Sequence, residues 1–312
     1  MYSTVVVPLD GSPFGELALP VATRIADAHG AALHLVSVHG PLVFPFAVEG
    51  APIYDPRFDE ARRGETLAYL ERTALRLRTE GRLVSVALLA NEMPGTAIAN
   101  EAATLDAGLV VLTTHGRGGF SRVWLGSVTV DLLRHSRTPL LVVRGHEHHD
   151  AADYEREAAA AGAWPGPRHI LVPIDGSDFA LRAVDEARAL GEPFAPRLTL
   201  LRVVPTAASL LPYDQTFWTS AETALLDEQR EHAVRETATA VERLRADGVA
   251  AEGMVVVEPD AARAILHVAA EQRADAVAMS THARAGAARL LLGSVTDKVI
   301  RASDLPVLVV RP

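Results

Sequence analysis

The residues of this sequence best suited to chemistry lie in a glycine-rich loop that follows a short apolar run and precedes a helical pattern. Glycine lets a backbone approach a ligand closely, and a helix start offers unpaired N–H groups with a partial positive charge. A serine at the helix start adds a hydroxyl at a cap-like position, so the segment suits a phosphate. A tight turn followed by an ordinary helix cap is the alternative interpretation, because a glycine loop alone is a weak signal. The segment contains Thr113, His115, Gly116, Gly126 and Ser127.

A second segment near the C-terminus repeats the first. TTHGRGG is matched by STHARAG, WLGSVT by LLGSVT, and TPLLVVR by LPVLVVR. The same holds near the start of each half, where VVVPLDGS (Val5–Ser12) matches ILVPIDGS (Ile170–Ser177). An internal duplication of this size predicts two copies of one domain. We expect domains at residues 1–144 and 168–312, joined by a linker at 145–167.

Each copy alternates short, nearly all-apolar strands with helical patterns, which predicts a parallel sheet covered on both faces. We therefore expect two tandem doubly wound, Rossmann-like α/β domains, each with a five-stranded parallel sheet flanked by helices. The predicted strands are Thr4–Leu9, Ala32–Val38, Leu83–Leu89, Leu109–Leu112 and Leu140–Val143, then Ile170–Ile174, Leu198–Val204, Ala250–Val257, Ala276–Met279 and Val307–Val310. The predicted helices include Asp59–Glu80, Gly95–Ala103, Phe179–Leu190, Ala221–Ala246, Ala261–Gln272 and Gly293–Ala302.

This topology brings the candidate residues together. Ligands in open α/β sheets bind outside the carboxyl ends of the strands. Asp10 follows the first strand, and Thr113 and Gly116 follow the fourth strand on the same edge. The order of elements thus predicts a site that contains Asp10 and the glycine loop. A helix cap or a turn is the alternative role for Asp10.

These motifs resemble the universal stress protein family, in which many members bind ATP through Gly-x2-Gly-x9-Gly-(Ser/Thr) and a V-P-x-D segment. The first copy reads Thr113-x2-Gly116-x9-Gly126-Ser127, and the second reads Ser280-x2-Ala283-x9-Gly293-Ser294. The resemblance implies a cytoplasmic, ATP-binding stress-response regulator. In the first copy it implies contacts to the nucleotide from Pro8, Leu9, Asp10, Val38, Leu112, Thr113, His115, Gly116, Gly126, Ser127, Val128 and Thr129. In the second copy it implies Pro173, Ile174, Asp175, Val203, Met279, Ser280, His282, Ala283, Gly293, Ser294, Val295 and Thr296.

Both copies depart from the family pattern. Thr113 and Ser280 stand where glycine is frequent, and Ala283 replaces the second glycine. Alanine keeps its N–H but is strained if the loop needs a positive φ there. We therefore expect the first copy to be the better site.

Composition excludes several classes of protein. Over 312 residues the formal net charge is −9, which argues against a general nucleic-acid binder with a basic face. The absence of cysteine excludes disulfides and thiol chemistry, and it fits a reducing cytoplasm. The N-terminal residues do not have a signal-peptide pattern, and no apolar run approaches the roughly 18 residues of a membrane span.

Three functions remain open: an ATP-binding regulator, a nucleotide-free protein-interaction module, and a slow Mg-dependent ATPase. No P-loop string G-x-x-x-x-G-K-[ST] occurs. His115 and His282 could act as bases, but nothing in the sequence orients them. Asp10 and Asp175 could bind Mg²⁺ beside phosphates.

Two further expectations concern metal and assembly. His146, His148 and His149, with neighbouring acids, could bind zinc or nickel, although a flexible linker holds a metal poorly. The last strand of each copy is an expected sheet edge, and exposed edges invite pairing. Relatives in the family that these motifs resemble pair this strand with its copy in another subunit, so the resemblance implies an internal pseudo-dimer of the two copies. We also expect a homodimer of chains and a protein partner that the sequence does not identify.

Overall fold

The computed structural model of the chain describes residues 1–40, 55–90, 93–114, 125–145, 151–206, 220–281 and 293–311. They form two compact units. The first unit is Tyr2–Ala163, and the second unit is Trp164–Pro312 together with Met1. Both units have the alternating order of strands and helices that the sequence predicts. No helix among these described residues is long and apolar enough to cross a membrane.

The first unit is built around strands with completely buried centres. Val5, Val6 and Val7 are 0% exposed, because helices cover both faces of the strand that carries them. Its strands are β1 (Thr4–Pro8), β2 (Ala32–His39), β3 (Val84–Ala90), β4 (Leu109–Thr113) and β5 (Leu140–Val143). Its helices are α1 (Pro13–Glu16), α2 (Ala18–His29), α3 (Pro56–Thr79), α4 (Pro94–Thr104), α5 (Ser127–His135) and α6 (Ala151–Gly162).

The strands of the first unit are parallel and lie in the order β3-β2-β1-β4-β5. From β1 the chain adds β2 and β3 on one side of the sheet and then adds β4 and β5 on the other side. The strand order therefore switches between β1 and β4, and such a switch point opens a crevice at the carboxyl ends of the strands. Right-handed crossovers put α2 and α3 on one face and α4 and α5 on the other. The contacts agree, since α3 and α4 both touch β2 and β3 while α4 packs against α5.

The second unit repeats this arrangement with the strand order β10-β9-β6-β7-β8. Its strands are β6 (His169–Ile174), β7 (Arg197–Val204), β8 (Ala250–Val257), β9 (Ala276–Ser280) and β10 (Val307–Val310). Its helices are α7 (Asp178–Gly191), α8 (Ser220–Ala246), α9 (Ala261–Glu271) and α10 (Ser294–Ala302), with a short 3-10 turn at Glu192–Phe194. The predicted fold class is confirmed in both units.

The helix after the second strand begins earlier than its predicted start at Asp59. Helix α3 begins at Pro56 because the Asp55 side chain caps it, accepting hydrogen bonds from Arg57 N at 3.0 Å and Phe58 N at 3.4 Å. Residues 41–54, and residues 207–219 in the corresponding segment of the second unit, lie outside the described residues.

The predicted linker contains a helix. Helix α6 occupies 12 of its residues and packs against α2 in the first unit. Burial raises the pKa of Tyr154 in this helix, and the nearby Glu16 carboxylate adds to the effect. Further along, the indole of Trp164 donates a hydrogen bond to the Asp275 carbonyl at 3.0 Å in the second unit. The linker is therefore a folded part of the protein over much of its length.

Candidate nucleotide site

Asp10 lies two residues after the end of β1 and organises the turn into the first helix. Its Oδ1 accepts hydrogen bonds from Ser12 N at 2.9 Å and from Ser12 Oγ at 2.6 Å. Ser12 is the N-cap of α1, and its Oγ accepts from Gly15 N at 3.1 Å. A Cβ at Gly15 would lie only 2.7 Å from Asp10 Oδ1, so the carboxylate can sit there only because residue 15 is glycine. Asp10 thus forms the turn that the alternative interpretation expected.

The end of β4 is tied to the start of α5. Gly126 N donates to the Thr114 carbonyl at 2.8 Å, and Thr129 Oγ1 donates to the Thr113 carbonyl at 3.1 Å. Gly126 is the N-cap of α5, without a capping side chain, and Ser127 is the first helical residue. The expectation that Ser127 sits at the cap is therefore wrong by one position. Its exposed hydroxyl stands at the mouth of the helix start.

The start of α5 presents a row of backbone donors. The first hydrogen bond of the helix runs from Val130 N to the Gly126 carbonyl at 3.0 Å, so the preceding N–H groups have no acceptor within the helix. Those groups belong to Ser127, Val128 and Thr129. The hydroxyl hydrogen of Thr129 is used on the Thr113 carbonyl, so this residue offers an anion its backbone N–H and not its hydroxyl.

A cavity of about 550 Å³ opens at this edge of the sheet. The family resemblance implies twelve site residues in the first copy, and the structure brings ten of them to the wall of this one cavity. The other two, His115 and Gly116, lie outside the described residues. The ten are Pro8, Leu9, Asp10, Val38, Leu112, Thr113, Gly126, Ser127, Val128 and Thr129.

The cavity also has walls that the sequence did not predict. Helix α3 contributes Arg62 and Thr66, and α4 contributes Pro94 and Ile98. The remaining additions are Gly15, Val36, Ser37, His39 and Leu125. Leu125 is next to the predicted Gly126 in the sequence, and His39 is next to the predicted Val38, so position alone could have suggested both. Gly15 is close to Asp10 only in space. Helix residues far along the chain carry no such signal, because only the packing of α3 and α4 on the sheet brings them to this edge.

A polar cluster of His39, Asp59 and Arg62 lies on the α3 side of the cavity. His39 Nε2 donates to Asp59 Oδ1 at 2.9 Å, and Arg62 Nη1 is 3.8 Å from the same oxygen. The His39 side chain is only 8% exposed. Arg62 is thus the basic side chain among the described lining residues that could reach a ligand's acceptor atoms.

The predicted site residues of the second unit come to the corresponding edge. Pro173 and Ile174 end β6, Met279 and Ser280 end β9, Gly293 is the N-cap of α10, and Ser294, Val295 and Thr296 form its first turn. Val203 is the penultimate residue of β7. Asp175 repeats the turn of Asp10, accepting from Ser177 N at 3.0 Å and Ser177 Oγ at 2.6 Å, but it is exposed where Asp10 is half-buried. His282 and Ala283 lie outside the described residues.

An arginine occupies the second unit's edge where the first unit has a small residue. Val5 of β1 pairs with Leu33 of β2, and its equivalent Ile170 of β6 pairs with Leu198 of β7. Leu33 and Leu198 are therefore equivalent, and Arg202 corresponds to Ser37. Arg202 Nη1 donates to the Ile174 carbonyl at 3.4 Å, and Nη2 is 3.9 Å from Glu236 Oε2. A Cβ placed at Gly176 would meet that same carboxylate oxygen at 3.0 Å. The turn after β6 is therefore crowded by a charged pair.

A model of the universal stress protein family matches residues 1–144 and again residues 166–311. The chain belongs to this family. Universal stress protein Rv1996 of Mycobacterium tuberculosis is 28% identical over 326 residues, covering 98% of this chain and 94% of that protein. A crystal structure of a universal stress protein from Archaeoglobus fulgidus covers 99% of this chain and 96% of its own, with a TM-score of 0.68 and 18% identity. A universal stress protein in complex with cAMP covers 46% of this chain and 96% of its own, at 27% identity and a TM-score of 0.35.

Within this universal stress protein, the departure from the family motif at Thr113 is accommodated. Thr113 ends β4, is 8% exposed, and lines the cavity while its carbonyl holds Thr129. Its counterpart Ser280 accepts a longer bond of 3.4 Å from Thr296 Oγ1. The junction between strand and helix is thus drawn together more tightly in the first unit.

The metal-binding alternative falls on residues that the structure does not describe. His146, His148 and His149 lie outside the described residues. The same is true of two arginines beside the glycine loops, Arg117 and Arg284. Among the residues that the structure describes, no group of three or more histidine and acidic side chains is arranged to hold a metal ion.

Proposed function

We propose that the first unit of this universal stress protein binds ATP in the 550 Å³ cavity. The observation that carries the proposal is the convergence of ten residues, implied by the family resemblance, on one cavity at the switch point of the sheet. The volume lies within the roughly 300–1,000 Å³ range of small-molecule sites.

The phosphates would lie at the start of α5. The N–H groups of Ser127, Val128 and Thr129 precede the first helical hydrogen bond, and the helix dipole adds partial positive charge at the same place. The Ser127 hydroxyl supplies a further donor. Mg²⁺, if it accompanies the nucleotide, would neutralise phosphate charge close to the Asp10 carboxylate.

The adenosine would lie along the ends of β1 and β2. Pro8, Leu9 and Val36 supply an apolar wall there. Val38 lies beyond the last residue pair of β1 and β2, Pro8 with Val36, so its backbone polar groups on that side can pair with the edge of a base. This orientation directs the base towards α3 and the phosphates towards α5, on opposite faces of the sheet.

The second unit would bind nucleotide more weakly or not at all. Its donors at the start of α10 are arranged like those of α5, but Arg202 and Glu236 crowd the turn after β6. We therefore propose one dominant nucleotide per chain. By family resemblance we propose that the bound state regulates a partner contact during the stress response in the cytoplasm. The assembly that the sequence suggests stays a prediction.

The test is isothermal titration calorimetry of the purified, nucleotide-stripped full chain with ATP and Mg²⁺, together with mass spectrometry of the small molecules released on denaturation. We expect about one ATP or ADP per chain in both experiments. Absence of released nucleotide and of binding heat would contradict the proposal and favour the nucleotide-free interaction module. A stoichiometry near two would contradict the ranking of the two units.

A further inference from the structure

The α3 side of the first-unit cavity holds an arginine whose hydrogen-bonding capacity is not fully used. Arg62 Nη1 is buried and has no hydrogen-bond partner. Asp59 Oδ1, at 3.8 Å, attracts the guanidinium but is too far away to accept a hydrogen bond from this nitrogen. A buried donor left unpaired costs free energy, so an acceptor that enters the cavity and reaches Nη1 gains a favourable bond.

Helix geometry places Arg62 at the wall of the cavity. Asp59, Arg62 and Thr66 are spaced at i, i+3 and i+7 and therefore share one face of α3. Arg62 and Thr66 line the cavity from this face, and the neighbouring Arg63 is exposed on another face of the helix. The position of Arg62 is thus set by rigid helix packing on β2 and β3.

The second unit lacks all three members of the cluster. Arg78 Nε donates to the Val84 carbonyl and Arg245 Nε to the Ala251 carbonyl, which aligns α3 with α8. Residues at equal distances before these two arginines are equivalent. Arg62 therefore corresponds to Gln229, and Asp59 corresponds to Leu226. The same equivalence of β2 with β7 places Val204 where the first unit has His39. The fold forms without this cluster in the second unit, so the fold alone does not account for it in the first.

The charges indicate the kind of acceptor. Asp59 lies beside Arg62 and offsets much of its positive charge, which makes the pair a poor place for a phosphate but leaves the N–H able to bond a neutral acceptor. The cluster also lies across the sheet edge from the donors of α5. We propose that Arg62 is a base-reading residue that donates a hydrogen bond from Nη1 to a ring nitrogen of the adenine base. This inference rests on the proposed function and assigns one end of the same cavity.

The test compares ATP with inorganic tripolyphosphate, which has the phosphates but no base. Calorimetry is carried out on the full chain as wild type, Arg62→Met and Arg63→Met. The first substitution keeps the length of the side chain and removes its donors, and the second removes the same charge from an exposed position on the same helix. We expect Arg62→Met to weaken ATP binding roughly tenfold, the value of one hydrogen bond from a charged donor. Binding of tripolyphosphate should change less than about twofold in either variant, and Arg63→Met should bind ATP like wild type.

Different failures have different meanings. Wild type that binds neither ATP nor tripolyphosphate overturns the proposed function and this inference with it. If wild type and Arg62→Met bind ATP equally well, the proposed function stands and only the hydrogen bond from Arg62 to the base is overturned. Equal weakening of ATP and tripolyphosphate by Arg62→Met would assign Arg62 to the phosphates and also overturn it.

A second measurement identifies the ring nitrogen. Wild type and Arg62→Met are titrated with the 1-deaza, 3-deaza and 7-deaza analogues of ATP, each of which lacks one ring-nitrogen acceptor. We expect one of the three to bind wild type about tenfold more weakly than ATP and to bind Arg62→Met as well as ATP does, which distinguishes a hydrogen bond from Arg62 from one made by the Val38 backbone. Equal affinity for all four nucleotides would overturn the inference.

Discussion

The two units share one fold and differ at the edge where a ligand would bind. Both keep an aspartate after the first strand whose Oδ1 accepts from a serine Oγ at 2.6 Å. They differ in what surrounds that turn. The first unit has Ser37 and an open cavity, whereas the second has Arg202, which contacts the Ile174 carbonyl and Glu236.

This difference separates what the fold needs from what a ligand needs. The aspartate turn occurs in both units, so it belongs to the strand–helix junction and is by itself weak support for a nucleotide. The residues that distinguish the units, Ser37, His39 and Arg62, are stronger support because the fold does not require them. A duplicated chain thus contains its own internal control.

The largest expected effect comes from filling the space at the start of α5. Gly126→Val places a branched side chain where the phosphates would approach the helix. We expect ATP affinity to fall by at least about 100-fold, which corresponds to about 2.8 kcal/mol. Calorimetry with ATP and Mg²⁺ measures the change.

The matched control is Gly293→Val, at the same position of α10 in the second unit. We expect it to leave the affinity and the stoichiometry unchanged. If the two variants exchange these results, the dominant site lies in the second unit and the comparison is reversed.

The next effect is a gain of binding. The double variant Arg202→Ser, Glu236→Gln puts the first unit's serine into β7 and removes the charge from the neighbouring carboxylate. We expect the number of ATP molecules bound per chain to rise from one towards two in the same titration. A stoichiometry that stays at one would mean that something other than this charged pair disfavours the second site.

A smaller effect concerns the stability of the strand–helix junction. Thr129→Val removes the hydroxyl that donates a hydrogen bond to the carbonyl of the buried residue Thr113 at 3.1 Å. We expect a loss of about 1–2 kcal/mol. Thr296→Val removes the longer 3.4 Å bond to Ser280 and should cost less. Scanning calorimetry of the two variants checks the order, and an equal loss would show that the difference in bond length has no energetic weight.

The smallest expected effect is a pH dependence of the free energy of unfolding that comes from His169 in the second unit. His169 is 6% exposed, its Nε2 lies 2.8 Å from Thr199 Oγ1, and its Nδ1 accepts from Arg197 Nη2 at 3.0 Å. Burial lowers the pKa of His169, and the Arg197 charge lowers it further, against weaker opposing effects of the Gln272 carbonyl, Glu252 and Asp275. The unfolded chain therefore takes up a proton near the ordinary pKa of about 6.5, while the folded chain does so only at lower pH.

Stability should consequently fall as the pH drops below about 6.5, by about 1.4 kcal/mol for each unit of difference between the two pKa values. His169→Thr introduces the residue found at the equivalent Thr4 of the first unit. Scanning calorimetry between pH 7.5 and 5.5 should show a weaker pH dependence in the variant than in wild type. The same dependence in both would exclude His169 as its source.

Strands and helices were well predicted because their signals are local. Buried parallel strands need consecutive apolar residues, and β5, β8 and β10 have the predicted bounds. The edge of the sheet that carries the candidate site followed from strand order alone, since parallel strands all end on the same side. Position relative to a strand end was therefore enough to find Asp10 and Thr113.

Features that depend on tertiary packing could not be predicted. Arg62 lies near the start of a long charged helix, where a solvent-facing arginine is ordinary, and only the packing of α3 on the sheet turns it towards the cavity. Arg202 interrupts an apolar strand, which signals a special environment but not its partner Glu236, because that residue belongs to α8. The cap of α5 was misplaced by one residue because Gly126 and Ser127 are both acceptable caps.

Helix α6 decides where the first unit can be separated from the rest of the chain. A fragment that stops at Arg144, where the first family match ends, would lose α6 and uncover the side of α2 on which it packs. A fragment that continues to Ala163 keeps this surface covered and retains Tyr154 beside Glu16. We expect the longer fragment to express as the more soluble and more heat-resistant of the two. It is the preferable starting material for crystallising the cavity with nucleotide.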